Sequence, residues 1–316
     1  MTKPVVVSLA TLAAATSISA ASLNPEAAAA FDRYVSLTEQ RIDVELARGQ
    51  PFLWFDTLPQ GKRAEIERGL REGEVVIERL ETRDGSQSIR TPGALIHHWL
   101  GIIFVPGVDL NSAVSLMQDY DRHSQIFAPS IARSKTLEHT NSHFRVALRF
   151  YVKKVIGVTL DTENEADFFL PAPDRANSRI RSTRVTEISN AGTPGERPTP
   201  AGQEAGFMWR LNTYWRFLHQ ADGTYIQCES VTLSRDLPFA LSWILKPFVT
   251  EVPRESLTVT LERARAELLR TIPTRQPQGR TDRESAQGRR GCLRVNCSSA
   301  SFSSRRTAEV SGGSRR

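Results

Sequence analysis

Residues 222–270 read DGTYIQCESVTLSRDLPFALSWILKPFVTEVPRESLTVTLERARAELLR. The stretch has three textures. Asp222-Gly223 is a compact turn signal, and the chain on either side, FMWRLNTYWRFLH (207–219) and TYIQCESVTLSRDL (224–237), alternates in character like two strands of a hairpin. A greasy run follows, with Trp243 and Phe248. Pro253 then opens a helix whose Leu257, Leu261, Ala264 and Leu268 recur at helical spacing. Two long strands delivered straight into a long terminal helix call for a sheet that the helix covers.

Working outward, the same period of two recurs upstream. VVIERLETR, ALIHHWLGIIFV, IARSKTLEH, HFRVALRFYVKKV, VTLDTENEADFF and RIRSTRVTEI all read as strands. In HFRVALRFYVKKV, Phe144, Val146, Leu148, Phe150 and Val152 share one face, and Arg145, Arg149 and Lys153 the other. Asp161, Glu163 and Glu165 on the next strand would oppose that basic face as a solvent-facing ladder. Asp109 caps a helix over LNSAVSLMQDYDRHSQIF. The alternation implies a sheet with one covered and one solvated face. The expected class is α+β: a curved antiparallel sheet around a long C-terminal helix, which encloses more volume than the helix fills.

DYDRHSQIFAPSIARSKTL, GFMWRLNTYWRF, DGTYIQCESVTLSRDLP and PFVTEVPRESLTVTLERARAEL carry a resemblance. Over residues 92–269 the chain resembles the START-like, polyketide-cyclase superfamily with the helix-grip fold, and is most similar to exported bacterial members of no assigned activity. The resemblance implies an internal apolar cavity for a lipid, isoprenoid or polyketide-like molecule. A cyclase or aromatase acting on a polycyclic substrate is the alternative it leaves open.

Charge locates the appendages. Residues 271–316 hold ten Arg and three acids, a net of +7, while the remaining chain carries 31 basic and 32 acidic side chains, a net of −1. A nucleic-acid groove needs its charge on the fold, so that partner class is excluded. The first residues carry Lys3, an apolar stretch from Val5 to Ala15, and a small-residue Ser19-x-Ala21 site, as secretory leaders do. The domain reading is a leader over 1–21, a helical extension over 22–73, the ligand-binding domain over 74–270 and a disordered Arg-rich tail over 271–316. The expected location is secreted or periplasmic. Asn24-Pro25-Glu26 starts the extension's first helix. A module that binds a partner or a membrane through the extension and tail is a further alternative. Cys228 reads as a core residue, and Cys292 and Cys297 as a pair within the tail.

Alternation also nominates a site. Phe207, Trp209, Leu211, Thr213, Trp215 and Phe217 form one face of the second-last strand, as bulky core or as the lining of a pocket. Tyr225, Gln227, Glu229, Val231 and Leu233 form the more apolar face of its neighbour. A carboxylate among buried positions needs a partner, and Arg184 is the expected one, the pair anchoring a ligand's polar head in the cavity. The other reading is that both point to solvent. Ligand binding is thus expected at Arg184, Trp209, Leu211, Thr213, Trp215, Tyr225, Gln227 and Glu229. Leu241, Trp243 and Phe248 form the cavity mouth or an edge in peripheral contact with a membrane, unless they pack over the N-terminal helices. G-x-S-x-G, H-E-x-x-H, P-loop and G-x-G-x-x-G motifs are absent. Asp119-x-Asp121-x-His123 reads as a solvated helix end, so no metal and no cofactor are expected.

Overall fold

The computed structural model describes residues 23–153, 157–236 and 239–271, the last range by its backbone alone up to residue 250. The expected leader, almost all of the Arg-rich tail with Cys292 and Cys297, and the side chains of Leu241, Trp243 and Phe248 lie outside it. Asn24 caps α1 (Pro25–Arg48) by accepting the Glu26 N–H at 2.8 Å, and Gly49 ends it in the left-handed conformation. A 3-10 turn at Trp54–Thr57 leads to α2 (Gln60–Arg71). β1 (Val76–Arg79), the small hairpin β2 (Arg83–Asp84) and β3 (Gln87–Ser88), and β4 (Ala94–Pro106) follow. α3 (Leu110–Gln118), capped by Asp109, a turn at Tyr120–Arg122 and α4 (His123–Ile126) close the first half. The second half is β5 (Ile131–Thr140), β6 (His143–Lys153), β7 (Gly157–Ala172), β8 (Arg175–Ser189), β9 (Arg197–Pro198), β10 (Arg210–Gln220), β11 (Gly223–Arg235) and α5 (Phe239–Thr271).

Apart from the separate β2–β3 hairpin, the described strands form one antiparallel sheet in the order β1-β4-β11-β10-β8-β7-β6-β5, with β9 on the end of β8. β4 thus joins the last strand, and α5 packs across their concave side. This is the helix-grip arrangement expected from the sequence. α5 packs closely on the sheet at Gly101, where a Cβ would stand 2.4 Å from Leu261 Cδ1. Leu257, Leu261, Ala264 and Leu268 meet Ile103, Val105, Trp215, Phe217, Ile226 and Cys228 there, with α3, Tyr120, Phe144 and Phe168 completing the cluster.

Two expectations are corrected. α5 starts at Phe239 rather than Pro253, so the greasy run is helical and not a connecting loop. The expectation of one solvated face holds only for part of the sheet. On β6 and β7 the outer face carries the foreseen ladder, with Arg149 opposite Asp161 and bonded to it at 2.6 and 2.7 Å. On β4, β10 and β11 the convex face is buried as well. α1 covers Ala94, Tyr214, Val231 and Leu233 with Ala27, Phe31, Tyr34 and Ile42. Phe52, Leu53, Phe55 and Leu70 cover Leu100, Ile102, Phe104 and Tyr225. The N-terminal extension is therefore a third layer of the domain rather than an appendage to it.

Candidate functional site on the concave face of the sheet

Pairing register decides which predicted residues belong together. Thr213 lies opposite Ser230 and Leu211 opposite Thr232. Trp99 and His97 lie opposite the same Ser230 and Thr232 on the other side. Ile180 lies opposite Thr213. Trp215 and Cys228, which share this face, contact the α5 cluster, so the whole set is concave. Leu211, Thr213 and Trp215 are thus placed on the concave face as the sequence reading expected.

The other five predicted residues are elsewhere. Tyr225, Gln227 and Glu229 do share one face, but it is the convex one. Apolar content was a poor guide because the extension makes that face a core too. Trp209 stands just before β10 and packs with Tyr214 and Leu233 in the convex cluster; the alternation that put it with Leu211 breaks at the start of the strand. Phe207, expected on the same face, is largely exposed. Arg184 is solvent-exposed and pairs with Glu163 at 2.6 Å. A bulge causes this: Ser182 faces Asn164 while Arg184 faces Glu163, so Thr183 is an extra residue and the alternation resets. The expected Arg184–Glu229 pair does not form, and Arg184, Tyr225 and Glu229 do not converge on one reacting centre.

Glu229 instead joins a buried network that sequence reading missed. Its Oε1 lies 2.7 Å from His98 Nε2, and Arg41 of α1 bonds the same oxygen. His98 Nδ1 lies 2.9 Å from the Tyr34 hydroxyl, which accepts the Thr82 N–H at 2.7 Å. A tyrosine hydroxyl that accepts from a backbone amide has its own proton left for Nδ1. With the tyrosine hydroxyl donating to Nδ1, the Nε2–H of His98 is the one that donates to Glu229. Arg41 and Arg216 both bond Glu45, Arg216 also donates to the Phe52 carbonyl at 2.8 Å, and Gln227 accepts the Trp54 N–H at 2.8 Å. Burial works to raise the pKa of Glu229, but the His98 hydrogen bond and the Arg41 charge outweigh it and hold the carboxyl below its ordinary value. Its Oε2 has no partner among the described residues, and Glu229 borders a void of about 20 Å³ with Arg41, Trp54, Arg216 and Gln227, room for one water.

The concave face is different in kind. The fully buried Arg and Glu among the described residues, Arg216 and Glu229, are both convex. The buried concave polar groups are uncharged types, and the charged ones lie toward the margins, Arg79 opposite Trp99 and Glu187 accepting the Ala205, Gly206 and Phe207 N–H groups. His97 Nε2 lies 2.8 Å from Ser234 Oγ, and burial, with Arg79 nearby, lowers its pKa to about 4. Trp99, Leu148, Phe150, Ile180 and Leu211 are only half-buried on this side, in contrast to the closed packing around Gly101.

Other sequence motifs resolve simply. His123 is buried against the Leu116 carbonyl, Asp119 pairs with Arg122, and Asp121 accepts the Thr136 N–H. Asp119 and Asp121 border an open surface cleft of about 310 Å³ with His139 and Phe144. Among the described residues no group of three His, Cys, Asp or Glu side chains could hold a metal ion, and no helix is long and apolar enough to cross a membrane.

No protein-family model matches the sequence, and no curated protein is similar to it. Among solved structures, the chain is similar to the Zhui aromatase/cyclase from Streptomyces sp. R1128, with 13% identity over 57% of this chain and 98% of that one and a TM-score of 0.42. It is similar to a STAR-related lipid transfer protein fragment from Xanthomonas axonopodis, with 17% identity, 60% and 98% coverage and a TM-score of 0.39. Human STARD10 matches at 8% identity, 66% and 80% coverage and a TM-score of 0.37. At this distance neither ligand nor reaction carries over from any of them.

Proposed function

We propose that the protein binds an apolar small molecule between the concave face and the N-terminal half of α5, outside the cytoplasm. The observation that supports this most is the incomplete cover of large apolar side chains on one side of the sheet. Trp99, Leu148, Phe150, Ile180 and Leu211 stay half-buried together on one face, beside the close packing at Gly101. Large apolar groups left partly open inside a concavity are what a ligand site is made of. The apolar sequence from Phe239 to Phe248, with Leu241 and Trp243, supplies the mouth in this reading. The leader-like first 21 residues support export.

Native mass spectrometry of the full chain, with organic extraction of bound material, tests the binding. A co-purifying apolar molecule, or stoichiometric binding of 1-anilinonaphthalene-8-sulfonate competed by a neutral polycycle, is the expected result. A folded, empty protein that binds no apolar probe overturns the proposal. An alkaline phosphatase fusion after residue 22 should be active if the leader exports.

A further inference from the structure

Backbone pairing between β8 and β10 stops short of the end of β8. The last register pair is Arg181 with Asn212, although β8 runs on to Ser189. The chain just before β10 stays with β11 instead: Trp209 donates its N–H to the Leu233 carbonyl at 2.7 Å, and the Gly206 carbonyl accepts from the Arg235 N–H at 2.8 Å. Counting the β8–β10 register onward sets Leu211 opposite Ser182 and Gly206 opposite Glu187. At both places a side chain stands in for the ladder. Ser182 Oγ accepts the Leu211 N–H at 2.9 Å. The Glu187 carboxylate accepts the N–H groups of Ala205, Gly206 and Phe207 at 2.7, 2.7 and 2.9 Å. The sheet thus has a seam between two of its strands, laced at two points by side chains.

The seam faces the side proposed above to hold a ligand. Ser182 lies opposite Asn164 and Glu187 opposite Leu160, on the face that carries Ala166 and Phe168 of the α5 cluster. Half-buried Ile180 and Leu211 stand at its inner end, and its outer end lies where β11 gives way to α5. Its ties are weak. Ser182 and Glu187 are both partly exposed, so water replaces their bonds at little cost, whereas parting a backbone ladder breaks bonds along the whole strand. The banks also have slack between them. β9 and the Glu196–Arg149 bond hold the first part of the connection to the β8 side. Residues 200–204 then cross to the other bank largely exposed, with Gln203 and Gly202 bonded only within that stretch.

Resting on the binding reading above, we infer that the ligand enters and leaves through this seam. Ser182 and Glu187 release the amides they hold, residues 205–211 part from β8 while keeping to β11, and the slit joins the mouth at the end of the sheet where α5 begins.

Rates test this in the full chain with N-phenyl-1-naphthylamine, an uncharged apolar probe whose attraction to the protein does not depend on the Glu187 charge. Glu187→Gln and Ser182→Ala should each raise its association and dissociation rates together, about threefold or more, and leave Kd within about a factor of two. Amide hydrogen exchange is the second readout. Ala205, Gly206 and Phe207 should exchange faster in Glu187→Gln, and Leu211 faster in Ser182→Ala, while the β10 amides beyond Asn212 stay protected. Amides released with probe rates unchanged would overturn the inference and make the seam a fixed part of the sheet. A Kd altered through dissociation alone would overturn it too, placing Ser182 or Glu187 against the ligand. Protection unaltered in both variants would mean that neither side chain laces the seam, which also overturns it. In all three cases the binding proposal stands. A parent chain that binds no apolar probe takes the binding proposal and this inference down together.

Discussion

His98 on β4 and Glu229 on β11 meet 2.7 Å apart on the convex face, and α1 reaches over the sheet to complete the pair from both ends, Tyr34 on the histidine and Arg41 on the carboxylate. The strand's anomalous carboxylate is therefore a fastening between layers. Replacing Glu229 with Ala strips His98 and Arg41 of their partner. Loss of a fully buried ion pair costs about 3–5 kcal/mol, but Arg41 keeps 40% exposure and can recover water, so a loss nearer 2–3 kcal/mol is expected. Urea unfolding measures it. Apolar-probe affinity should be unchanged; an unaltered stability with lost binding would return Glu229 to the ligand.

Acid should weaken the fold in two stages. Burial lowers His97 and His123 to about 4, below the ordinary value near 6.5, so the unfolded chain takes up protons first. Their contribution is complete above pH 6.5 and declines as pH falls toward 4, on the order of 3 kcal/mol for each histidine. The carboxyl of Glu229, also held below its ordinary value, acts below that: its contribution is present above its unfolded pKa near 4.5 and is lost as pH falls through the lower folded value. Thermal melts from pH 7 to 3 should show the first decline, flattened in His97→Gln.

Gly101 marks where helix and sheet touch. A methyl group there would lie 2.4 Å from Leu261 Cδ1 and 2.9 Å from Ile77 Cδ1, both ends of flexible side chains. Gly101→Ala should cost about 1 kcal/mol and Gly101→Val about 3 kcal/mol, in the range of overpacking. Pairing Gly101→Val with Leu261→Ala should cost less than the two losses added together, which a double-mutant cycle reads directly.

The ion pairs around the rim of the extension differ in weight. Arg33–Asp84 is half-exposed on both sides and screened by solvent, so Asp84→Ala should leave stability nearly unchanged. Phe31→Ala, from a fully covered position in the same helix, should cost about 3–5 kcal/mol. Equal effects would mean that charge rather than apolar burial holds the layer.

Sequence patterning carried far where one rule acted alone. The Asn24 and Asp109 caps, the α5 stripe from Leu257 to Leu268 and the Arg149–Asp161 ladder were all readable, since each depends on local periodicity or turn chemistry. Alternation correctly grouped Tyr225, Gln227 and Glu229. It could not say which side that group faced, because a sheet covered on both sides has two apolar faces. Arg184 was misplaced by a single bulged residue, Thr183, which no period of two reveals. The His98–Glu229–Arg41 network was illegible for another reason: its members lie 131 and 188 residues apart. The adjacent His97-His98 pair was a usable hint, since neighbours on a strand must serve opposite faces.

Those separations bear on how the chain reaches its structure. α1 is made first, yet much of the surface it covers belongs to β10 and β11, and β4 finds its main partner only when β11 exists. Closing such long loops is slow, and their apolar faces wait uncovered in the meantime. The N-terminal helix is thus synthesised early and seated late. During that interval Phe31, Tyr34 and Ile42 are open to other chains, so refolding yield should fall with protein concentration more steeply than the stability of the finished molecule would suggest.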